Sequence, residues 1–139
     1  MYKDIHIGHL ILVKWKELDF SIERACNFFK ISKTDVENMF SQKSLDTELL
    51  LKWSKLLEYD FFRIYSQHLI LYSPPSKRTN AESLKSKKLP EFRKNIYTQE
   101  IIEFILEQIN SDEMSKNEVI EKYKIPKTTL HKWISKYSK

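Results

Sequence analysis

At 139 residues and a net charge of +5, the chain has room for one domain or two small ones. One glycine and four prolines exclude a β-rich fold, which needs Gly-containing hairpin turns, and point to an all-α protein. The single cysteine, Cys26, excludes an intrachain disulfide framework or cysteine-based zinc site and fits a reducing cytoplasm, and no apolar run approaches a membrane span or a secretory signal.

Apolar spacing predicts five helices in residues 1–72. The first runs from about Asp4 to Leu18, with Ile7, Leu10, Ile11 and Trp15 inward. The second starts at Ser21 and ends near Phe29, burying Ile22, Ala25, Cys26 and Phe29. Lys30-Ile31 leads to Ser32, which has capping-box spacing with Asp35 ahead of a third helix over Lys33 to Phe40. Asp46 caps a fourth, carrying Leu49, Leu50, Trp53, Leu56 and Leu57. A fifth, Phe61 to Tyr72, is apolar on more than one face and must bury both sides. It is either the central helix of a small bundle or a surface for a second subunit or for the C-terminal part of the chain.

Residues 73–94 lack helical periodicity and are rich in Ser, Pro and Lys, which is linker composition. They hold seven basic side chains and two acidic ones, whereas residues 1–72 hold ten of each. Lys85, Lys87, Lys88, Arg93 and Lys94 are expected phosphate contacts in this linker. Leu89 and Phe92 offer apolar side chains to pack back onto one of the flanking units.

Residues 95–139 read as a three-helix, homeodomain-like unit. Thr98 caps its first helix, whose buried stripe is Ile101, Ile102, Ile105, Leu106 and Ile109. Ser115 and Glu118 have capping-box spacing, and Val119, Ile120 and Tyr123 share one face. Pro126 stops that helix and suits the start of the next. Leu130, Trp133, Ile134 and Tyr137 then recur at helical spacing, with Trp133 expected against Ile102, Ile105 and Tyr123. The opposite face carries Lys127, Thr128, Thr129, His131, Lys132 and Lys136 and no acid. A short helix, apolar inside and basic outside, entered by a sharp turn, has the form of a recognition helix.

The stretch Glu118-Val119 … Tyr123-x-Ile125-Pro126-x-x-Thr129-Leu130-x-x-Trp133 resembles the helix-turn-helix of insertion-sequence transposases. Whole-chain features, notably 51–62 and 92–98, look like short transposase-type proteins of flavobacteria. Members often carry Gly where this chain has Lys124. Residues from about 5 to 70 resemble the lambda-repressor-like (Cro/repressor, XRE) domain in Ile7-Gly8, in Ala25 … Ile31-Ser32 and in Leu49-x-x-Trp53-x-x-Leu56-Leu57. That resemblance implies a second major-groove helix exposing Ser32, Lys33, Thr34 and Asn38, with Gln42 and Lys43 just beyond. Asp35 and Glu37 add negative charge there, which repels phosphate and leaves a packing or dimer role open for this unit.

The expected function is therefore DNA binding without catalysis. The chain offers no strands for an RNase H-like carboxylate site, no phosphate loop and no metal-ligand constellation, so no cofactor is expected. Expected partners are double-stranded DNA, with a homodimer partner and a separate catalytic transposase subunit as further candidates, in the bacterial nucleoid of the cytoplasm. A stand-alone transcriptional regulator and a protein-interaction adaptor with degenerate helix-turn-helix units remain open alternatives.

Overall fold

The computed structural model describes residues 2–74, 88–90, 92 and 96–137. These residues form eight helices and no strand, the all-α class expected. They are α1 (Ile7–Glu17), α2 (Ile22–Phe29), α3 (Lys33–Phe40), α4 (Thr47–Leu56), α5 (Phe62–Tyr72), α6 (Gln99–Asn110), α7 (Lys116–Tyr123) and α8 (Lys127–Tyr137). The chain divides into two compact units, Met1–Ser66 and Gln67–Lys139. Most of the expected linker lies outside the described residues, and so do Lys85, Lys87, Arg93 and Lys94.

Local capping explains where most helices begin. Ser21, Ser32 and Asp46 each accept from the amide three residues on, at 3.2, 3.2 and 2.8 Å. Each satisfies a donor that the helix start leaves without an intrahelical partner. α1 differs, starting at Ile7 rather than near Asp4. His6 accepts from the His9 amide through Nδ1 at 3.0 Å. The Ile7 and Gly8 amides donate to the carbonyls of Lys43 and Gln42, just beyond α3, at 2.9 and 3.0 Å. The start of α1 thus abuts the end of α3, amides facing carbonyls, an arrangement that the helix dipoles favour.

That junction uses the only glycine in the chain. A Cβ built on Gly8 would fall on the carbonyl oxygens of Met39, Gln42 and Phe40, at 2.7 Å from the last. Around the junction the first unit buries Ile7, Ile11, Ala25, Val36, Met39, Leu50, Trp53, Leu56, Leu57, Phe61 and Ile64. Trp53 stacks near Phe29 and Phe40 at centroid distances of 4.7 and 5.6 Å. Its indole N–H donates to the Met39 sulfur at 3.4 Å.

The division falls inside α5 rather than after Tyr72. Ile64 belongs to the first core. One turn later Gln67, 1% exposed, donates through its side-chain amide to the Ile96 carbonyl and accepts from the Thr98 amide at 3.0 Å. A buried amide needs both bonds, and only the chain entering α6 supplies them. Ile70 and Leu71 are buried too, while Leu69 and Tyr72 remain exposed. Leu89 and Phe92 are 80% and 92% exposed, so they do not pack back as expected.

In the second unit Thr98 caps α6 by accepting from the Ile101 amide. Ser115 and Glu118 complete the expected capping box, with both reciprocal bonds formed. Ile101, Ile102, Ile105, Leu106, Val119, Tyr123, Ile125, Leu130 and Trp133 form the interior. Trp133 is buried as expected and meets the Tyr97 ring edge-on, with centroids 4.9 Å apart.

Because the Gly8 contact is with backbone, no neighbouring side chain can swing away from a new methyl group. Gly8→Ala should destabilise the first unit by about 3 kcal/mol, the upper end of overpacking costs. Urea unfolding followed by tryptophan fluorescence measures this, since Trp15 and Trp53 both report on that unit.

Candidate nucleic-acid interface

The entry to α8 is built from three consecutive residues. Lys124 is left-handed, with φ 54° and ψ 38°. Ile125 is 1% exposed and anchors the turn in the core. Pro126 stands one residue ahead of the helix, and its carbonyl accepts from the Leu130 amide at 3.1 Å. Proline offers no side-chain acceptor, and no side chain among the described residues caps the α8 amides. Helix-start amides left in this way attract phosphate oxygens.

Leu130 and Trp133 turn inward, and Ile134 is half-buried. Lys127, Thr128, His131, Lys132 and Lys136 are exposed along the outer face. Thr129 is only half-buried, so it offers less surface than its neighbours. Among the described residues no carboxylate pairs with Lys127, Lys132 or Lys136, and α8 contains no acid. The described acids of this unit lie at exposed positions elsewhere: Glu100, Glu103 and Glu107 on α6, Asp112 and Glu113 in the connection, and Glu118 and Glu121 on α7. An open groove between α6 and α8 is lined by Glu103, Glu107, Gln99, Asn110 and Tyr137. Its carboxylates disfavour an anion there. From Lys122 to Tyr137 the described residues hold lysines and no acid.

The first unit has the same plan with a different charge. Lys30 is left-handed, with φ 58° and ψ 44°, and Ile31 follows it. Ser32, Lys33, Thr34 and Asn38 are exposed, as the repressor-like resemblance implies. Lys33, however, lies 3.9 Å from Glu37, and Lys43 lies 2.7 Å from Asp4. The hydrogen bond from Lys43, and then its charge, hold the Asp4 carboxyl below the usual carboxylate range. With Asp35 and Glu37 against Lys33, α3 has a net charge of −1, whereas α8 has +3 before any histidine protonates. Gln42 gives its backbone carbonyl to the Gly8 amide, and its side chain is exposed. Of the linker cations only Lys88 lies among the described residues, where it is exposed. No cluster of three or more His, Cys, Asp or Glu occurs among the described residues, and no helix there is long and apolar enough to cross a membrane.

The two units are also related position by position. Ser21 answers to Ser115, 94 positions on, and both cap the first helix of the turn. The same shift matches Lys30-Ile31-Ser32-Lys33-Thr34 to Lys124-Ile125-Pro126-Lys127-Thr128. It also matches buried residues in pairs: Ile7 with Ile101, Ile11 with Ile105, Ala25 with Val119, Val36 with Leu130, Met39 with Trp133. The visible signal is the repeated Lys-Ile-x-Lys-Thr. It is short, and its meaning depends on the burial pattern around it.

A left-handed lysine is costly. The conformation costs a non-glycine residue roughly 1–2 kcal/mol, and glycine's greater freedom when unfolded returns part of that difference. Lys124→Gly should therefore stabilise the second unit by about 0.5–1 kcal/mol in thermal or urea unfolding. An unchanged or lowered stability would mean that the Lys124 side chain holds the turn.

No known protein family, no characterised protein and no solved structure matches this chain.

Proposed function

We propose that this chain is a non-catalytic DNA-binding protein of the transposase helix-turn-helix type, in which α8 reads base edges in the major groove. The observation that carries this is the exposed, acid-free cationic face of α8, set behind a left-handed turn and a buried isoleucine. A face of that kind has no use in packing, and its charge suits the phosphate backbone on either side of a groove. Lys127 and Thr128 lie at the helix start, where groove readers meet base edges. Lysine can donate to guanine O6 and N7, and threonine can hydrogen-bond or touch a thymine methyl. Lys132 and Lys136 lie further along the helix and are exposed, which suits them to phosphate contacts. The α6 carboxylates give the unit a preferred side, since acids near phosphate are repelled.

The transposase type rests on the sequence resemblance, and a stand-alone regulator would use the same parts. The carboxylates that catalysis would need are spread over exposed helix surfaces, which supports a role in binding and leaves strand transfer to a separate subunit. A nucleoid location and duplex DNA as partner follow from the same reading. The adaptor alternative draws on α3, whose lysine is paired and whose net charge is negative.

The test is binding to a site selected from random duplex and to a scrambled control. Lys127→Ala and Thr128→Ala should each cost about 1–3 kcal/mol on the selected site and little on the control. Lys136→Ala should weaken both alike and lower the salt slope by about one unit. Unchanged affinities in all three folded variants would remove α8 as the reader, and salt-independent binding, or none, would favour the adaptor.

A further inference from the structure

The two units share more than packing requires. Buried positions recur because any three-helix unit of this kind needs them, and Ser21 and Ser115 recur because both cap helices. Lys33 and Thr34 match Lys127 and Thr128, yet all four are exposed and take no part in either core. Lys30 and Lys124 match too, each in a left-handed conformation that disfavours lysine. Folding alone explains none of these identities. Shared side chains at equivalent exposed positions of equivalent scaffolds meet the same chemistry in a ligand.

We propose that the first three helices of each unit, α1–α3 and α6–α8, are copies of one module, and that a single chain binds duplex DNA carrying two copies of one short sequence, one under α3 and one under α8. This rests on the DNA-reading role of α8 and extends it to a second site in the same molecule. The positions that match, Lys33-Thr34 and Lys127-Thr128, set the base preference common to both copies. The positions that differ, Asp35 against Thr129, Glu37 against His131 and Asn38 against Lys132, make α3 the weaker member, because its lysine is already held by Glu37. A weak second contact suffices when it is intramolecular. Covalent linkage gives the second module an effective concentration on the order of millimolar, which raises overall affinity by roughly 10²–10⁴-fold when both sites can be reached together.

The experiment is selection from a random duplex pool with the intact chain, followed by affinity and stoichiometry on the enriched sequences. The enriched pool should hold one short motif twice. A duplex bearing both copies should bind at least about tenfold more tightly than one bearing a single copy, with one chain per duplex. The double variant Lys33→Ala, Thr34→Ala, checked for helicity by circular dichroism, should lose that gain and keep its affinity for a single copy. A single enriched motif, bound equally by this variant, would overturn the two-site proposal while leaving α8 as a reader. Two chains on each two-copy duplex would overturn it in favour of a homodimer. Absence of any enriched sequence would overturn both the two-site proposal and the reading of α8.

Discussion

One backbone feature sets the direction of the outward-facing helix in each unit. A single left-handed lysine, Lys30 or Lys124, reverses the chain between two helices, and the isoleucine after it ties the turn to its own core. Without that pairing the third helix of each unit would leave at another angle, and its polar face would not stand clear of the neighbouring helices. Ile125 is almost fully buried, which offsets part of the conformational cost next to it. With no glycine available at either turn, lysine accepts the strained conformation and also places a cation beside the start of the following helix.

Charge then distinguishes two otherwise similar scaffolds. In the second unit the described acids lie on α6, α7 and the connection between them, and α8 carries three lysines with no carboxylate partner among the described residues. In the first, the one lysine of α3 pairs with Glu37 and is outnumbered by Asp35 and Glu37, and Lys43 is held by Asp4 from the segment before α1. Exposed pairs of this kind add little to stability. Their effect is on what the surface can attract. The first unit offers a shaped but net-negative helix, and the second a shaped and positive one.

Much of this was legible in the sequence because the signals are local. The Ser32 and Ser115 caps place the starts of α3 and α7, and Pro126 marks the start of α8. Trp133 follows from its spacing with Leu130. The parts that were not legible depend on distant contacts. α1 begins three residues later than the pattern suggests, because its first amides are held by carbonyls beyond α3. The unit boundary lies inside α5 because Gln67, a polar residue in an apolar run, is buried by bonds to Ile96 and Thr98. The pairing of Lys43 with Asp4 joins segments that no local pattern connects. Leu89 and Phe92 looked like packing residues by composition and are exposed.

In the function proposed above, the outer face of α8 is where this chain meets DNA. Amide-resolved NMR of the intact chain, titrated with a short duplex, tests it most directly. The largest shifts should fall on Lys124 and on Lys127 to Lys132, smaller ones on Lys30 to Thr34, and the exposed α6 positions around Glu103 and Glu107 should stay unmoved. Shifts centred on the α6 groove, or none in α8 at a DNA concentration that saturates binding, would contradict it.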